Sequence, residues 1–155
     1  AMTLQKVKGF TPLDFSKYHP SGNLGKKLTL TLNDLIDSNR KPLVEKSSSF
    51  LKIIDEISSN MYGATAVVED NVIIGVVTDG DIRRIIEKKQ NIENISASDF
   101  MNKNPKIMTE NTLAIEALIH MKENRISQVL ITNNSNVYLG IVHILDIIKE
   151  GVNNE

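Results

Sequence analysis

From about residue 28 onward, the chain of 155 residues places short apolar runs and amphipathic stretches in an order that occurs twice. Each copy begins with apolar residues at i, i+3, i+4 and i+7 spacing, which predicts a helix with one buried face. Two β-branched runs around a polar turn follow, and they predict a hairpin. Helical spacing then returns. The predicted elements are residues 49–60, 64–68, 72–77 and 82–89 in the first copy, and 112–124, 129–132, 137–142 and 144–148 in the second, with Gly151 as a C′ residue.

Individual residues also repeat, at an offset of 65 positions. This offset carries residues 33–36 onto 98–101, Gly75 onto Gly140 and Asp81 onto Asp146, with small slips expected around the helix and the hairpin turn. A β-α-β-β-α unit of about 55 residues is too small to bury a good core alone. We therefore predict an α+β fold in which two units pack sheet against sheet about a pseudo-twofold axis, leaving two related clefts between them.

Composition narrows the functional classes. The chain has 41% hydrophobic residues and a formal charge of −1, from 18 basic and 19 acidic residues. A binder of nucleic acid polymers usually carries a basic excess, so that class is disfavoured. There is no cysteine, there are three histidines, and no apolar run is long enough to span a membrane. We expect a cytoplasmic protein with no metal site and little catalytic equipment.

The segment from Gly75 to Arg84 is the most informative for chemistry. A buried strand ends at Thr78 and a helix follows at once, so free N–H groups and a partial positive charge favour a phosphate there. The Thr78 hydroxyl can donate to a phosphate, and Asp81 can accept both hydroxyls of a ribose. The same two residues also form an ordinary capping box, which spacing alone favours. Arg84 and Arg125 could reach a phosphate, although cations exposed to solvent are more common.

The second copy has His143 and Asp146 at the corresponding positions. Histidine is a poor N-cap, so a capping role predicts Ser or Thr at this position. Two interpretations of His143 stay open: a phosphate donor facing the cleft, or a partly buried ring bonded to a backbone carbonyl.

Together, Gly75-x-x-Thr78-x-x-Asp81 and Gly140-x-x-His143-x-x-Asp146 resemble a tandem pair of CBS domains over about residues 28–151. The resemblance implies binding of adenosine nucleotides or related ligands in the clefts between the copies. It implies phosphate or ribose contacts for Thr78, Asp81 and Asp146, and backbone near Ala64 and Ser127 flanking the base. His143 departs from the usual Ser or Thr, so the second site is expected to take another ligand or none.

An N-terminal motif narrows the resemblance further. The run Asp14-Phe15-x-x-x-His19-Pro20-x-Gly22-x-Leu24-Gly25-x-x-Leu28 is similar to the end of the sugar isomerase domain of D-arabinose 5-phosphate isomerases, which act in the Kdo and lipopolysaccharide pathway. In that family the histidine matching His19 belongs to the active site. Leu145 stands where a His is common. The resemblance implies an isomerase remnant and linker at 1–27, a first CBS repeat at 28–90 and a second at 91–155.

The resemblance thus predicts a regulatory module without catalysis of its own, because His19 lacks its partner groups here. The expected effector is an AMP- or ATP-like adenine nucleotide or CMP-Kdo, with no required cofactor. Expected partners are this nucleotide-type small molecule and a second copy through the CBS pair, giving a homodimer and a tetramer in the full-length enzyme. Two alternatives stay open: a purely structural dimerisation or tetramerisation module, and chemistry supplied in trans by His19.

Overall fold

The computed structural model describes residues 23–88 and 91–152. Within them lie two three-stranded sheets, each with its own helices. The elements of the first half are α1 (Asn23–Thr29), β1 (Leu43–Glu45), α2 (Phe50–Asn60), β2 (Ala64–Glu69), β3 (Val72–Thr78) and α3 (Asp79–Glu87). Those of the second half are α4 (Ala97–Phe100), β4 (Ile107–Thr109), α5 (Ala114–Asn124), β5 (Gln128–Thr132), β6 (Tyr138–His143) and α6 (Ile144–Lys149). Short 3-10 helices occupy Leu32–Leu35 and Ile92–Asn94.

The predicted helices and hairpins are present in both copies, with small differences at their ends. The helix predicted from residue 82 begins at Asp79, because the Thr78 side chain caps its first turn. The helix predicted from residue 112 begins at Ala114, after Leu113, whose side chain cannot cap. Gly151 follows the last helix with a φ of 78°, the left-handed conformation expected of a C′ residue.

Both sheets have the same topology. The first strand of each copy pairs parallel with the second, which pairs antiparallel with the third. A helix connects the parallel pair in each case, as a crossover connection requires. Strand β2 is buried along most of its length, and residues on its two faces join different clusters. One face meets the other sheet and the opposite face meets helices.

The two sheets pack against each other through one shared apolar cluster. From the first copy it contains Tyr62, Ala64, Ala66 and Val68, and from the second Leu130, Tyr138 and Ile141. The Tyr138 hydroxyl crosses the interface and donates to the carbonyl oxygen of Pro42 at 2.8 Å. The predicted packing of sheet against sheet is therefore confirmed.

Each copy completes its outer core with a segment of the other. Leu32, which precedes the first sheet, is fully buried among α5, β5 and α6 of the second copy. Ala97, which precedes the second sheet, is fully buried against β1, α2 and β3 of the first. The backbone fixes both segments: Leu32 N–H donates to Thr112 O at 2.9 Å, and Ala97 N–H to Ser48 O at 3.0 Å.

These contacts reveal the symmetry. The bridge between Thr31 and Leu113 has a counterpart between Ser49 and Ser96, and Val72 pairs with its own equivalent, Val137. Such reciprocal and self-equivalent contacts are the signature of a twofold relation. The pseudo-twofold axis predicted from the duplication therefore runs between the copies.

The sequence offset between equivalent residues of the two copies changes within the turns. Asx turns formed by Asp37 and Asn102 correspond at an offset of 65, but strands β1 and β4 correspond at 64. The first copy therefore has one extra residue just before β1, rather than at its helix. The second slip lies in the hairpin turn, as expected. In the described part of the chain, no helix has the length and apolar character needed to cross a membrane.

Candidate functional site

The first cleft has a volume of about 390 Å³ and lies between the two copies. Repeat one contributes the end of β3, with Val76 and Thr78. Repeat two contributes the loop before β4 and the turn between α5 and β5. Its remaining lining residues are Asn102, Asn104, Pro105, Lys106, Arg125, Ile126, Ser127, Gln128 and Leu130. Within the described residues, Lys106 and Arg125 carry the charge of this lining, and no carboxylate belongs to it.

Arg125 owes its position to the end of α5. It is the C-cap residue, and it adopts a left-handed conformation with a φ of 53°, which ends the helix and turns the chain into the cleft. The Ser127 carbonyl accepts the Ile144 N–H at 2.7 Å, which ties this turn to the start of α6. Two exposed cations beside an apolar floor of Val76, Ile126 and Leu130 suit a ligand with an anionic group and a planar apolar part.

Thr78 and Asp81 form the predicted capping box. Asp81 Oδ2 accepts the Thr78 N–H at 2.8 Å and its hydroxyl at 2.6 Å. Arg84 Nη2 donates to the other carboxylate oxygen at 2.5 Å. Thr78 lines the first cleft, whereas Asp81 and Arg84 are bonded to one another beside it. A ligand that takes the Thr78 hydroxyl would therefore have to draw it away from Asp81.

The second cleft has a volume of about 220 Å³ and overlaps the twofold-related position, since Asp37, Arg40 and Tyr62 correspond to Asn102, Pro105 and Ile126 of the first cleft. Its lining residues are Asp34, Leu35, Asp37, Arg40, Tyr62, Asp146, Lys149 and Glu150. In this described lining, four carboxylates face two cations, so the charge is the reverse of that in the first cleft. Burial and the nearby carboxylates of Asp146 and Asp37 raise the pKa of Tyr62, while the Arg40 guanidinium opposes the shift.

His143 caps α6, contrary to the expectation that histidine would not serve there. Its Nδ1 accepts the Leu145 N–H at 3.1 Å, and Asp146 Oδ2 accepts the His143 N–H at 3.1 Å. The Nδ1 contact is to a backbone N–H and not to a backbone carbonyl, and a role of the ring as a phosphate donor stays a prediction. An imidazole nitrogen with a lone pair can replace a hydroxyl as a cap because both accept hydrogen bonds.

The remaining predicted residues are divided among different surroundings. Arg125 and Ser127 line the first cleft together with Thr78, and Asp146 lines the second. Ala64 is fully buried in β2, opposite Thr78, and belongs to the cluster between the sheets. His19 lies outside the described residues.

Sequence reasoning missed Lys106 in the first cleft, and Arg40 and Tyr62 in the second. Arg40 and Lys106 lie in the loops before β1 and β4, two short strands to which the sequence analysis assigned no residues, and Tyr62 lies just before β2. Aligning the loops after the Asx turns of Asp37 and Asn102 would have identified Arg40 and Lys106.

The comparisons with known proteins agree with this geometry. The model of the CBS domain family matches residues 30–88 and again 97–153. An arabinose 5-phosphate isomerase of Francisella tularensis, KdsD, is 37% identical over 150 residues, which cover 96% of this chain and 46% of that protein. Arabinose 5-phosphate isomerase KpsF of Escherichia coli is 34% identical over 147 residues, covering 94% and 45%. The chain thus spans about half the length of the curated relatives it matches.

Solved structures share the fold. A CBS domain protein of Pyrobaculum aerophilum complexed with AMP superposes with a TM-score of 0.69 at 17% identity, covering 76% of this chain and 89% of that one. The CBS domain pair of protein MJ0100, solved with 5′-methylthioadenosine and S-adenosylmethionine, superposes with a TM-score of 0.66 at 20% identity, covering 78% and 94%. With two matched segments, two equivalent sheets and reciprocal contacts between them, the chain belongs to the CBS domain family and carries two such domains in tandem.

Proposed function

We propose that this chain is the regulatory module of an arabinose 5-phosphate isomerase, and that it binds a nucleotide effector in the first cleft without catalysing a reaction itself. The observation that carries the proposal is the lining of that cleft. Thr78 stands at the N-terminus of α3, and Lys106 and Arg125 are its charged residues among those described. Hydroxyl, guanidinium and ammonium groups are donors suited to a phosphate.

The relatives and structural neighbours support the two halves of this proposal separately. The curated relatives are named as arabinose 5-phosphate isomerases, which supports the parent activity. A place of that activity in the Kdo and lipopolysaccharide pathway of the cytoplasm is part of the proposal. Solved CBS pairs with AMP or with S-adenosylmethionine support a nucleotide-type effector. The effector is an AMP- or ATP-like adenine nucleotide or CMP-Kdo.

The effector acts by coupling binding to the packing of the two copies. It contacts Thr78 of the first copy and Arg125 of the second, so its binding free energy depends on their separation. A ligand that binds one arrangement more tightly shifts the population toward it and biases the attached catalytic domain.

Titration calorimetry of the full chain with AMP, ATP and CMP-Kdo tests the proposal. At least one ligand should bind, and Arg125→Ala should weaken that binding by about tenfold, because a charge-assisted bond to phosphate is lost. Lys122→Ala is the matched control, since it removes a cation from the last turn of the same helix without lining the cleft. Absence of binding by all three at millimolar concentration would overturn the proposal.

A second candidate function is a purely structural one, in which the CBS pair dimerises and helps a longer enzyme form a tetramer. It is favoured by apolar side chains that stay exposed on α3 and α6: Ile86 is 56% exposed, Leu145 54% and Ile148 47%. Exposed apolar residues on the last helix of each copy are candidates for an interaction surface. Sedimentation would separate the two functions: the structural one requires dimers that form without nucleotide, together with no calorimetric response.

A further inference from the structure

The two clefts differ at one side chain that has no direct counterpart in the other copy. Between the Asx turn and the first strand, the first copy has Arg40 and Lys41 where the second has Pro105 alone. This extra residue places a guanidinium in the second cleft, while the first cleft has a rigid proline in its wall. The difference arises from the one-residue slip before β1.

Arg40 is held in the second cleft by three contacts. Its Cζ lies 4.3 Å from the centroid of the Tyr62 ring, which is 5% exposed. Its Nε donates to the carbonyl oxygen of Asn60 at 3.0 Å, and Nη2 donates to the same oxygen. That carbonyl ends α2, where the helix dipole favours a cation. Ring and carbonyl together make a complete site for a planar cation.

The position of Arg40 in the second cleft corresponds to Pro105 in the first, whose short ring carries no charge. Tyr62 follows the left-handed residue that ends α2, just as Ile126 follows Arg125 at the end of α5. Ile126 lines the first cleft, and its aliphatic side chain offers no ring face on which a guanidinium could stack. The guanidinium on Tyr62 thus takes up space in the second cleft, whose volume is about 220 Å³ against about 390 Å³ for the first.

We propose that Arg40 closes the second cleft to nucleotides, so that each chain binds one effector, in the first cleft only. This inference rests on the proposed nucleotide-binding function and names the residue that determines its stoichiometry. The surrounding charge acts in the same direction. Asp34, Asp37, Asp146 and Glu150 disfavour a phosphate, and Asp146 is already bonded to the His143 N–H.

The test replaces Arg40 and uses adenosine as an uncharged ligand, so that the carboxylates of the second cleft do not repel it. Arg40→Ala uncovers the Tyr62 ring, on which a purine can stack. Calorimetry should show that Arg40→Ala binds one more equivalent of adenosine per chain than the wild type does. The wild type and Arg40→Ala should each bind one equivalent of AMP per chain. Lys41→Ala is the matched control, because Lys41 lies over the Tyr138 ring instead, 5.3 Å from its centroid.

A second readout assigns the new site. In Arg40→Ala, adenosine should shift the ring-proton NMR signals of Tyr62, which should not shift in the wild type. Arg40→Gln, which keeps a hydrogen-bonding side chain, serves if the alanine variant is unstable. A wild-type chain that binds two equivalents of AMP, or variants that gain no adenosine, would overturn the inference. If the wild type binds no nucleotide but Arg40→Ala gains one adenosine, the proposed function fails and the closure by Arg40 stands.

Discussion

The first and second clefts share the loop before the first strand of one copy and the residue two positions past its long helix, yet they offer opposite chemistry. One has Lys106 and Arg125 beside an apolar floor, and the other has four carboxylates and a cation stacked on Tyr62. The pseudo-twofold fold provides the shape twice, because backbone and core positions are shared. Tyr62 and Leu130 belong to the core between the sheets, but the charged side chains of the clefts do not, so those can diverge without loss of the fold. Duplication therefore determines where the clefts lie, and a few exposed residues determine which class of ligand each cleft can bind.

The caps at the two clefts show the same divergence on a smaller scale. Thr78 and His143 both cap a helix, and Asp81 and Asp146 both return a carboxylate to the cap N–H. Thr78 also donates its hydroxyl to Asp81, whereas the His143 ring bonds to a backbone N–H instead. Thr78 lines the first cleft, whereas His143 is not among the described residues that line the second, so the two caps differ in their access to a ligand.

The largest expected effect comes from breaking the exchange of buried segments. Leu32→Ala should lower the free energy of unfolding by about 3 kcal/mol, because it leaves a cavity in a fully buried position. The loss should fall on the second copy, although Leu32 precedes the first. Hydrogen exchange should therefore show the greatest loss of protection in β4–β6. Leu51→Ala, at a side chain that is 69% exposed, is the control and should cost less than about 0.5 kcal/mol.

A smaller effect compares the two equivalent glycines. A Cβ at Gly75 would come within 2.6 Å of Met101 Sδ and 3.1 Å of the Asn102 carbonyl oxygen, whereas one at Gly140 would meet Ile36 Cγ2 at 3.1 Å. The side chains can shift, but the backbone carbonyl at Gly75 cannot shift cheaply. We expect Gly75→Ala to cost about 2 kcal/mol and Gly140→Ala about 1 kcal/mol or less. Equal costs in urea denaturation would contradict this asymmetry.

The hydrogen bond across the interface gives a third prediction, with a dependence on pH. Tyr138→Phe should cost about 1 kcal/mol, because it removes a buried hydrogen bond to the Pro42 carbonyl, which keeps the Ala66 N–H at 3.3 Å. Burial raises the pKa of Tyr138, chiefly by desolvation. Unfolded tyrosine ionises near pH 10, so its contribution to stability is complete below that pH and declines as pH rises further, by up to about 1.4 kcal/mol per unit.

Urea denaturation between pH 8 and 11 checks this prediction. The wild type should lose stability above about pH 10, and Tyr138→Phe should lose it less steeply. Tyr62→Phe is the comparison variant, since burial raises the pKa of Tyr62 as well but no interface hydrogen bond is recorded for its hydroxyl within the described residues. Identical pH slopes for the wild type and Tyr138→Phe would contradict the assignment.

The smallest effect compares the two caps. Thr78→Ala should cost about 1 kcal/mol, as removal of a good N-cap usually does. His143→Ser should instead stabilise the chain by about 0.5 kcal/mol, because serine caps better than an imidazole ring does. Thermal unfolding of both variants measures the difference. A His143→Ser variant less stable than the wild type would show that the ring contributes more than its cap.

Apolar periodicity predicted the helices, the hairpins and the repeat, because local spacing decides which face of each element is buried. It could not predict that Leu32 packs in the core of the second copy and Ala97 in the core of the first. Their local surroundings are alike, and only the packed fold determines which sheet each one meets. Thr78, Arg125 and Ser127 line the first cleft, near the ends of predicted elements, and their contact with a ligand stays a prediction. Arg40 was missed because its effect comes from a one-residue slip and a tertiary contact with Tyr62.

The exchange of Leu32 and Ala97 determines where the chain can be cut into two parts that each keep a complete core. The shortest contiguous stretch that holds a complete half is residues 37–102, which is out of phase with the sequence repeat. Two separate peptides cut at the repeat boundary would each lack one buried segment and carry the segment that the other lacks. The two peptides would therefore be complementary, and recovery of the folded structure on mixing them would report their association.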